Sequence, residues 1–386
     1  MSHILLTGRL PELSIAELES LYGASAVTRI GNHALVDANV DFSRLGGSIK
    51  MADHIATVES TNPQKVFDFC RKSLPKYISE IPEGKIKLGV SLYELSMPLH
   101  KQNANALSLK KVIKNAGRSV RVVPNTEPAL TSAQTYHNSL TTAVGVELVF
   151  VCDGKNTHIG RVTEVQDIDS YTLRDRGRPK RDAFVGMLPP KLAQTIINIA
   201  VGENKNGVVL DPFCGTGVVL QEAALMGYDV YGTDIAEKMV RFSRDNLNWA
   251  LEKFNISVER QLEIGDATTH KWRLPITAVA GEGYLGQPLG GQDPTPEKLA
   301  EIMHDCQDIM RGFLKNIGAQ VPSGTRLCFA APAWLVRGTL HKLPVTDTIE
   351  DLGFSWMPFT HVDAQTLIYS REDQITHREL LVLITI

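Results

Sequence analysis

Apolar positions along this chain repeat first with mixed periods and then, past residue 208, in a regular alternation of strand-like and helix-like segments. Near the start, Ile4-Leu5-Leu6 is an apolar run of strand character. Pro11 to Leu21 has helical spacing with Ser14 as candidate N-cap, and Ala34 to Val36 predicts another short strand. Farther on, Lys85 to Leu92 alternates as a strand, Leu107 to Ala116 repeats as a helix, and Ser119 to Val123 again reads as a strand. Gly145 to Cys152 is an apolar, β-branched strand closed by a turn at Asp153-Gly154. Pro190 to Ala200 predicts a helix with proline in its first turn. Strands then fall at 208–213, 229–233, 260–264, 277–281 and 325–331, with helices at 217–226, 236–252 and 295–316. That alternation predicts an α/β fold with a doubly wound sheet. Thr366 to Tyr369 and Glu379 to Ile386 predict an antiparallel hairpin on the sheet edge.

Length and composition sharpen this picture. A chain of 386 residues is too long for one ordinary core. We expect a small α+β unit over 1–50, a second such unit over 51–164, a polar, basic, turn-rich linker at 165–190, and the alternating α/β unit at 191–386. No apolar run of about 20 residues is present, so no membrane span is expected. The start lacks a charged segment followed by a long apolar one, which argues against secretion. Cys70, Cys152, Cys214, Cys306 and Cys328 form no closely spaced pair, which fits a reducing cytoplasm and no structural metal. The net charge of −3 exerts no global pull on nucleic acid, so any RNA surface must be a local patch.

The chemistry concentrates where the alternation begins. Val208-Val-Leu-Asp-Pro-Phe-Cys-Gly-Thr-Gly217 is a strand running into a glycine turn and then a helix, and the next strand ends in Gly232-Thr-Asp234. Gly215 and Gly217 permit a tight turn and close approach of a ligand, with Asp211 and Phe213 beside them. The following helix directs free N–H groups into the turn, which suits a carboxylate or a pyrophosphate equally. Asp234 follows at the spacing expected for an acid that accepts ribose hydroxyls. Gly265-Asp266-Ala267, after a third strand, places Asp266 at an adenine rim. The turn is not Gly-x-Gly-x-x-Gly, and it lacks a Gly-Lys-Ser/Thr ending. Those details favour S-adenosyl-L-methionine over NAD or ATP. Cys214 is expected to be a packing residue.

Arg174-Asp-Arg-Gly-Arg-Pro-Lys-Arg-Asp-Ala-Phe-Val-Gly-Met-Leu-Pro-Pro-Lys-Leu-Ala193, followed by Asp211 to Gly217, resembles the THUMP-containing tRNA guanine-N2-methyltransferases. The nearest pattern is the archaeal and eukaryotic group acting on the guanosine at tRNA position 10. Pro11-Glu-Leu-Ser-Ile-Ala-Glu-Leu18, Leu45-Gly-Gly-Ser-Ile-Lys50 and Leu130-Thr-Ser-Ala-Gln-Thr-Tyr-His-Asn-Ser-Leu140 are similar too, in the same order. The resemblance implies a ferredoxin-like part at 1–50, a THUMP RNA-binding domain at 51–164 and a class I, Rossmann-like methyltransferase domain at 191–386. It also implies that Gly186 to Lys191, with Pro189 and Lys191, helps to frame the cofactor.

One stretch departs from the family. Where the family carries Asp-Pro-Pro-Tyr-Gly after its fourth strand, this chain has Ala278-Val-Ala-Gly-Glu-Gly-Tyr-Leu-Gly286. Glu282 is expected to replace the aspartate as acceptor for a guanine amine, with the Gly283 carbonyl in place of proline's and Tyr284 stacking on the base. Gly286, Gly290 and Gly291 suggest a loop that admits a flipped base. Two basic patches are candidates for phosphate contact. Lys101, Lys110, Lys111, Lys114, Arg118 and Arg121 have no acid among them, and Arg174, Arg176, Arg178, Lys180 and Arg181 lie beside Asp175 and Asp182. In the second patch, pairing with acids to fix the linker is the competing role. The leading expectation is methylation of a guanosine amine in tRNA. A catalytically silent tRNA-binding protein and a methyltransferase for another nucleic acid are the alternatives. The sequence leaves room for a small activating partner subunit.

Overall fold

Every apolar strand run named above belongs to one of two sheets in the computed structural model, which describes residues 2–182, 188–273, 275–289, 293–371 and 374–386. The chain begins with β1 (His3–Thr7), α1 (Pro11–Tyr22), β2 (Val27–Ile30), β3 (His33–Val36) and β4 (Ser48–Val58). It continues through α2 (Pro63–Ser79), β5 (Ile86–Tyr93), α3 (Leu99–Asn115), β6 (Val120–Val122), α4 (Ser132–His137), β7 (Gly145–Cys152) and β8 (Thr157–Val165). By contacts the chain divides into two units. The first comprises residues 1–11, 25–43 and 48–168, and the second 12–24, 44–47 and 169–386.

The first unit is one eight-stranded sheet in the order β2-β3-β1-β4-β8-β7-β5-β6. Residue 50, the expected end of the first segment, falls inside β4. β7 is buried along its whole length, which is why it reads as continuous apolar sequence. Val66, Phe67 and Leu74 of α2 and Leu109 and Ile113 of α3 pack with Leu88, Val90 and Phe150 of the sheet. A charged pair is sealed inside. Lys50 Nζ lies 2.5 Å from Glu147 Oε1 and 2.7 Å from the Leu130 carbonyl, and neither side chain is exposed. Ser91 and Thr135 donate to the two oxygens of Glu147 at 2.6 Å each. The network pins the Leu130–Thr135 segment, where α4 begins with a capping box between Thr131 and Gln134.

The second unit carries α1 and continues with α5 (Ile168–Arg176), α6 (Pro190–Val201), β9 (Val208–Asp211), α7 (Val218–Leu225), β10 (Asp229–Asp234) and α8 (Glu237–Phe254). After these come β11 (Arg260–Ile264), β12 (Ala278–Glu282), α9 (Pro296–Gly318), β13 (Arg326–Val336), β14 (Thr339–His341), β15 (Phe354–Trp356), β16 (Ile368–Tyr369) and β17 (Thr376–Thr385). The sheet order is β11-β10-β9-β12-β13-β17-β15, with β9 to β13 parallel and β17 antiparallel to β13. This is the doubly wound, Rossmann-like α/β fold expected from the alternation. Among the described residues, no helix is long and apolar enough to cross a membrane.

Three local expectations are corrected. Ser14 is not a cap. It lies inside α1, and its hydroxyl donates to the Gly47 carbonyl at 2.8 Å. The basic stretch after 165 is not all turn, since α5 occupies 168–176. The late strands are not an edge hairpin. β16 does pair with β17, but β17 lies between β13 and β15. Its run Leu380-Leu-Val-Leu383 is buried on both faces, as an interior strand requires.

Removing one partner of the sealed pair strands a charge in the core. Lys50→Met should lower the free energy of unfolding by about 3–5 kcal/mol. Urea unfolding checks this, and an unchanged midpoint would mean that the buried pair contributes nothing to stability.

Candidate functional site

Parallel strands that end on one sheet edge bring their last residues together there. Asp211 ends β9, Asp234 ends β10, Asp266 follows β11 by two residues, and Glu282 ends β12. All four border one cavity of about 990 Å³. That is the upper end of the range of about 300–1,000 Å³ for small-molecule sites, and it leaves room for a second reactant.

The glycine turn borders the cavity through Gly215 and Thr216. Gly215 and Gly217 have φ of +50° and +85°, a region open to glycine at little cost. Gly217 caps α7, and a Cβ there would meet Ser243 Oγ of α8 at 2.4 Å. It therefore sets the approach of the two helices and does not itself line the cavity. The Gly215 N–H donates to Asp234 Oδ2 at 2.9 Å, and the Ala236 N–H donates to Oδ1 at 2.9 Å. Each oxygen of Asp234 is thus held in place and keeps capacity for a further donor. Asp266 is fixed in the same way, by the Thr268 N–H at 2.9 Å and hydroxyl at 2.7 Å.

Asp211 is buried and accepts from the Phe213 N–H at 3.2 Å. A Cβ at Gly281 would lie 2.6 Å from its Oδ1, so that glycine makes room for the carboxyl. Burial raises the Asp211 pKa well above the usual range. The Phe213 N–H opposes the rise, and the negative charges of Asp234 and Glu282 add to it. Burial also raises Asp234 and Glu282. Three carboxylates pushed toward neutrality form a site that a cation would relieve. The Phe213 ring packs edge-on against Phe313 at 5.4 Å and tilted against Phe329 at 5.6 Å. Cys214 is buried and its thiol pKa is raised by burial, which leaves it inert as a nucleophile.

Several lining residues carry no motif signal. Leu188, Met239, Thr268, Asp308 and Gly312 border the cavity. So does Ile235, 71% exposed directly after Asp234. A large apolar side chain left in water beside an acid suits the face of a flat ring, and its position after the strand-ending aspartate is the one hint the sequence held. Glu282 has a partner invisible in sequence, the Nε of Arg378 on β17. Tyr284 lines the mouth at 41% exposure.

Other expected residues lie elsewhere. Pro189 caps α6, and Lys191 Nζ lies 5.1 Å from the centre of the Tyr171 ring. From this segment it is Leu188 that lines the cavity, and Gly186, Gly290 and Gly291 lie outside the described residues. On α3, Lys101, Lys111 and Lys114 are exposed and Lys110 is half-buried, and Arg121 on β6 is exposed. Arg118 instead donates to the carbonyls of Ile81, Pro82 and Gly84, so its guanidinium ties a loop. In the other patch Arg176 is exposed. Arg178 is buried, with Asp175 at 3.8 Å, and Arg174 pairs with Glu222 at 2.7 Å.

A family model described as DNA methylase matches residues 96–245. A tRNA (guanine(10)-N2)-dimethyltransferase from Pyrococcus abyssi is 40% identical over 170 residues, 43% of each chain. One of the same name from Methanothermobacter thermautotrophicus is 31% identical over 166 residues, 42% of this chain and 44% of that one. The chain thus spans less than half the length of these two relatives. A probable tRNA (guanine(10)-N2)-dimethyltransferase from Methanothermococcus thermolithotrophicus is 32% identical over 127 residues, 32% of this chain and 76% of that one.

Because burial raises the Asp211 pKa, its charged form costs stability. That cost is absent in acid, where folded and unfolded chains are both protonated, and it appears as pH rises above about 4, where an unfolded aspartate ionises. Asp211→Asn should therefore match the parent chain near pH 4 and be the more stable of the two near pH 8, as read by urea unfolding without ligand. Parallel pH profiles would mean that Asp211 carries no such strain.

Proposed function

The chain belongs to the tRNA (guanine(10)-N2)-dimethyltransferase family, and from that premise we propose that it transfers a methyl group from S-adenosyl-L-methionine to the exocyclic N2 amine of a guanosine in tRNA. One observation carries the reading. Four acids at successive strand ends of a parallel sheet border a single cavity, beside an exposed Ile235.

The residues present fit such a cofactor. Asp234, held by two backbone N–H groups, accepts the ribose hydroxyls, and Asp266 accepts from the adenine amine at the rim. Ile235, Met239 and Ala267 supply apolar surface for the ring. When bound, the cofactor supplies a methyl group on a positively charged sulfur. Asp211 and Asp234, whose charges are poorly compensated in their buried setting, favour that charge.

A guanine N2 amine is a weak nucleophile because its lone pair is delocalised into the ring. The chain's task is therefore to place the amine and to stabilise the positive charge that grows on it. Glu282 accepts a hydrogen bond from the amine and is suited to take the proton it releases. Tyr284, half-exposed at the mouth, offers a face on which the flipped base stacks. Of the expected cations, Lys101, Lys111 and Lys114 of α3, Arg121 and Arg176 are exposed and available for phosphates. In this reading the first unit supplies most of the RNA contacts, and the second supplies Arg176 and the chemistry.

Two substitutions test separate parts. Asp234→Ala should abolish cofactor binding by calorimetry, and unchanged affinity would remove the ribose assignment. Glu282→Ala should bind cofactor normally yet lose methyl transfer to an unmodified tRNA transcript by about a hundredfold or more. Full turnover in that variant would move the acceptor role to another residue. A parent chain that binds tRNA and transfers nothing would support the silent tRNA-binding alternative.

A further inference from the structure

Glu282 is met by a residue 96 positions later in the chain. The Nε–H of Arg378 donates to Glu282 Oε1, with the two side chains 7% and 14% exposed. The topology makes this meeting possible. β17 runs antiparallel to β13, so its start reaches the edge where the parallel strands end. Glu282 stands opposite Ala330 of β13, and Arg378 stands opposite Pro332, two residues farther along. On its other side Arg378 pairs with Tyr369 of β16, and its guanidinium lies 5.9 Å from the centre of that ring.

Glu282 must remain a carboxylate to accept from an amine. Its surroundings work against this. Burial raises its pKa, and Asp211 of β9 is near enough for the two charges to interact. Tyr284 on its own loop and Asp308 of α9 border the same cavity and supply no positive charge. Arg378 is the group that lowers the Glu282 pKa, through both its charge and its hydrogen bond. A guanidinium stays charged at any pH the protein meets and holds a carboxylate in a fixed plane.

We propose that Arg378 is a positioning residue for methyl transfer: by binding Oε1 it fixes Glu282 and keeps it charged, so that Oε2 is presented to the acceptor amine. This rests on the reading of Glu282 as the amine's acceptor. It also gives a physical reason for the glutamate. A longer side chain in place of aspartate is loose unless something holds it, and Arg378 does so. Arg378 is not among the residues bordering the cavity, so its effect passes through Glu282.

The test uses the full chain as parent, Arg378→Met and Arg378→Lys. Calorimetry should give the same affinity for S-adenosyl-L-methionine in all three. Single-turnover transfer to an unmodified tRNA transcript should fall about tenfold or more near pH 7 in Arg378→Met, where each unit of raised pKa costs up to a factor of ten. The loss should shrink as pH rises and Glu282 regains its charge, and Arg378→Lys should recover much of the parent profile. A loss equal at every pH, or no loss, would overturn the proposal. Infrared titration of the Glu282 carboxyl, isolated by subtracting Glu282→Gln, gives a second reading. Its midpoint should move up in Arg378→Met, and a midpoint that stays put overturns the proposal. If the parent chain transfers no methyl group to tRNA while the midpoint does move, the functional reading fails and the Arg378–Glu282 device stands.

Discussion

Asp211, Asp234 and Glu282 are held at one edge of a parallel sheet, and burial works against the charge of each. Much of the second unit is arranged around that cost. Backbone N–H groups of Phe213, Gly215 and Ala236 offset it at Asp211 and Asp234, and a guanidinium offsets it at Glu282. Gly281 exists to let Asp211 sit beside its neighbouring strand, and Gly217 lets α7 approach α8 closely enough to shape the turn. In the proposed function a cationic ligand completes the balance.

The same constraint explains the division of labour among residue types. Asp234 and Asp266 have backbone donors on fixed loops, so their remaining lone pairs point with little entropic cost. Among the described residues, no backbone donor to the Glu282 carboxylate is found. That carboxylate depends on a side chain from a distant strand, and this makes it the most adjustable member of the set.

Much of the second unit was legible because its signals are local. A strand, a glycine turn, a helix and a terminal acid lie within about thirty residues of one another, and periodicity fixes each. Asp211, Phe213, Gly215, Asp234, Asp266, Ala267, Glu282 and Tyr284 all border the cavity expected from that pattern. What stayed hidden is non-local. An apolar stripe on α1 says that the helix is buried but not in which core, and α1 belongs with the second unit. Glu17 shows why. It accepts from the N–H groups of Gly46 and Gly47 and from Asn198, contacts that span up to 181 residues. The basic runs misled for a related reason. Charge is visible in sequence but its partner is not, so Arg118 and Arg178 read as free cations although one holds carbonyls and the other is buried. The place of β17 inside the sheet likewise depends on which strand covers its far side.

A crystal structure of the chain with S-adenosylhomocysteine tests the central claim most directly. The ligand should lie in the cavity, with its ribose hydroxyls on Asp234, its adenine between Ile235 and Asp266, and its sulfur on the Asp211 side. A ligand bound elsewhere, or a cavity still empty at millimolar ligand, would contradict it.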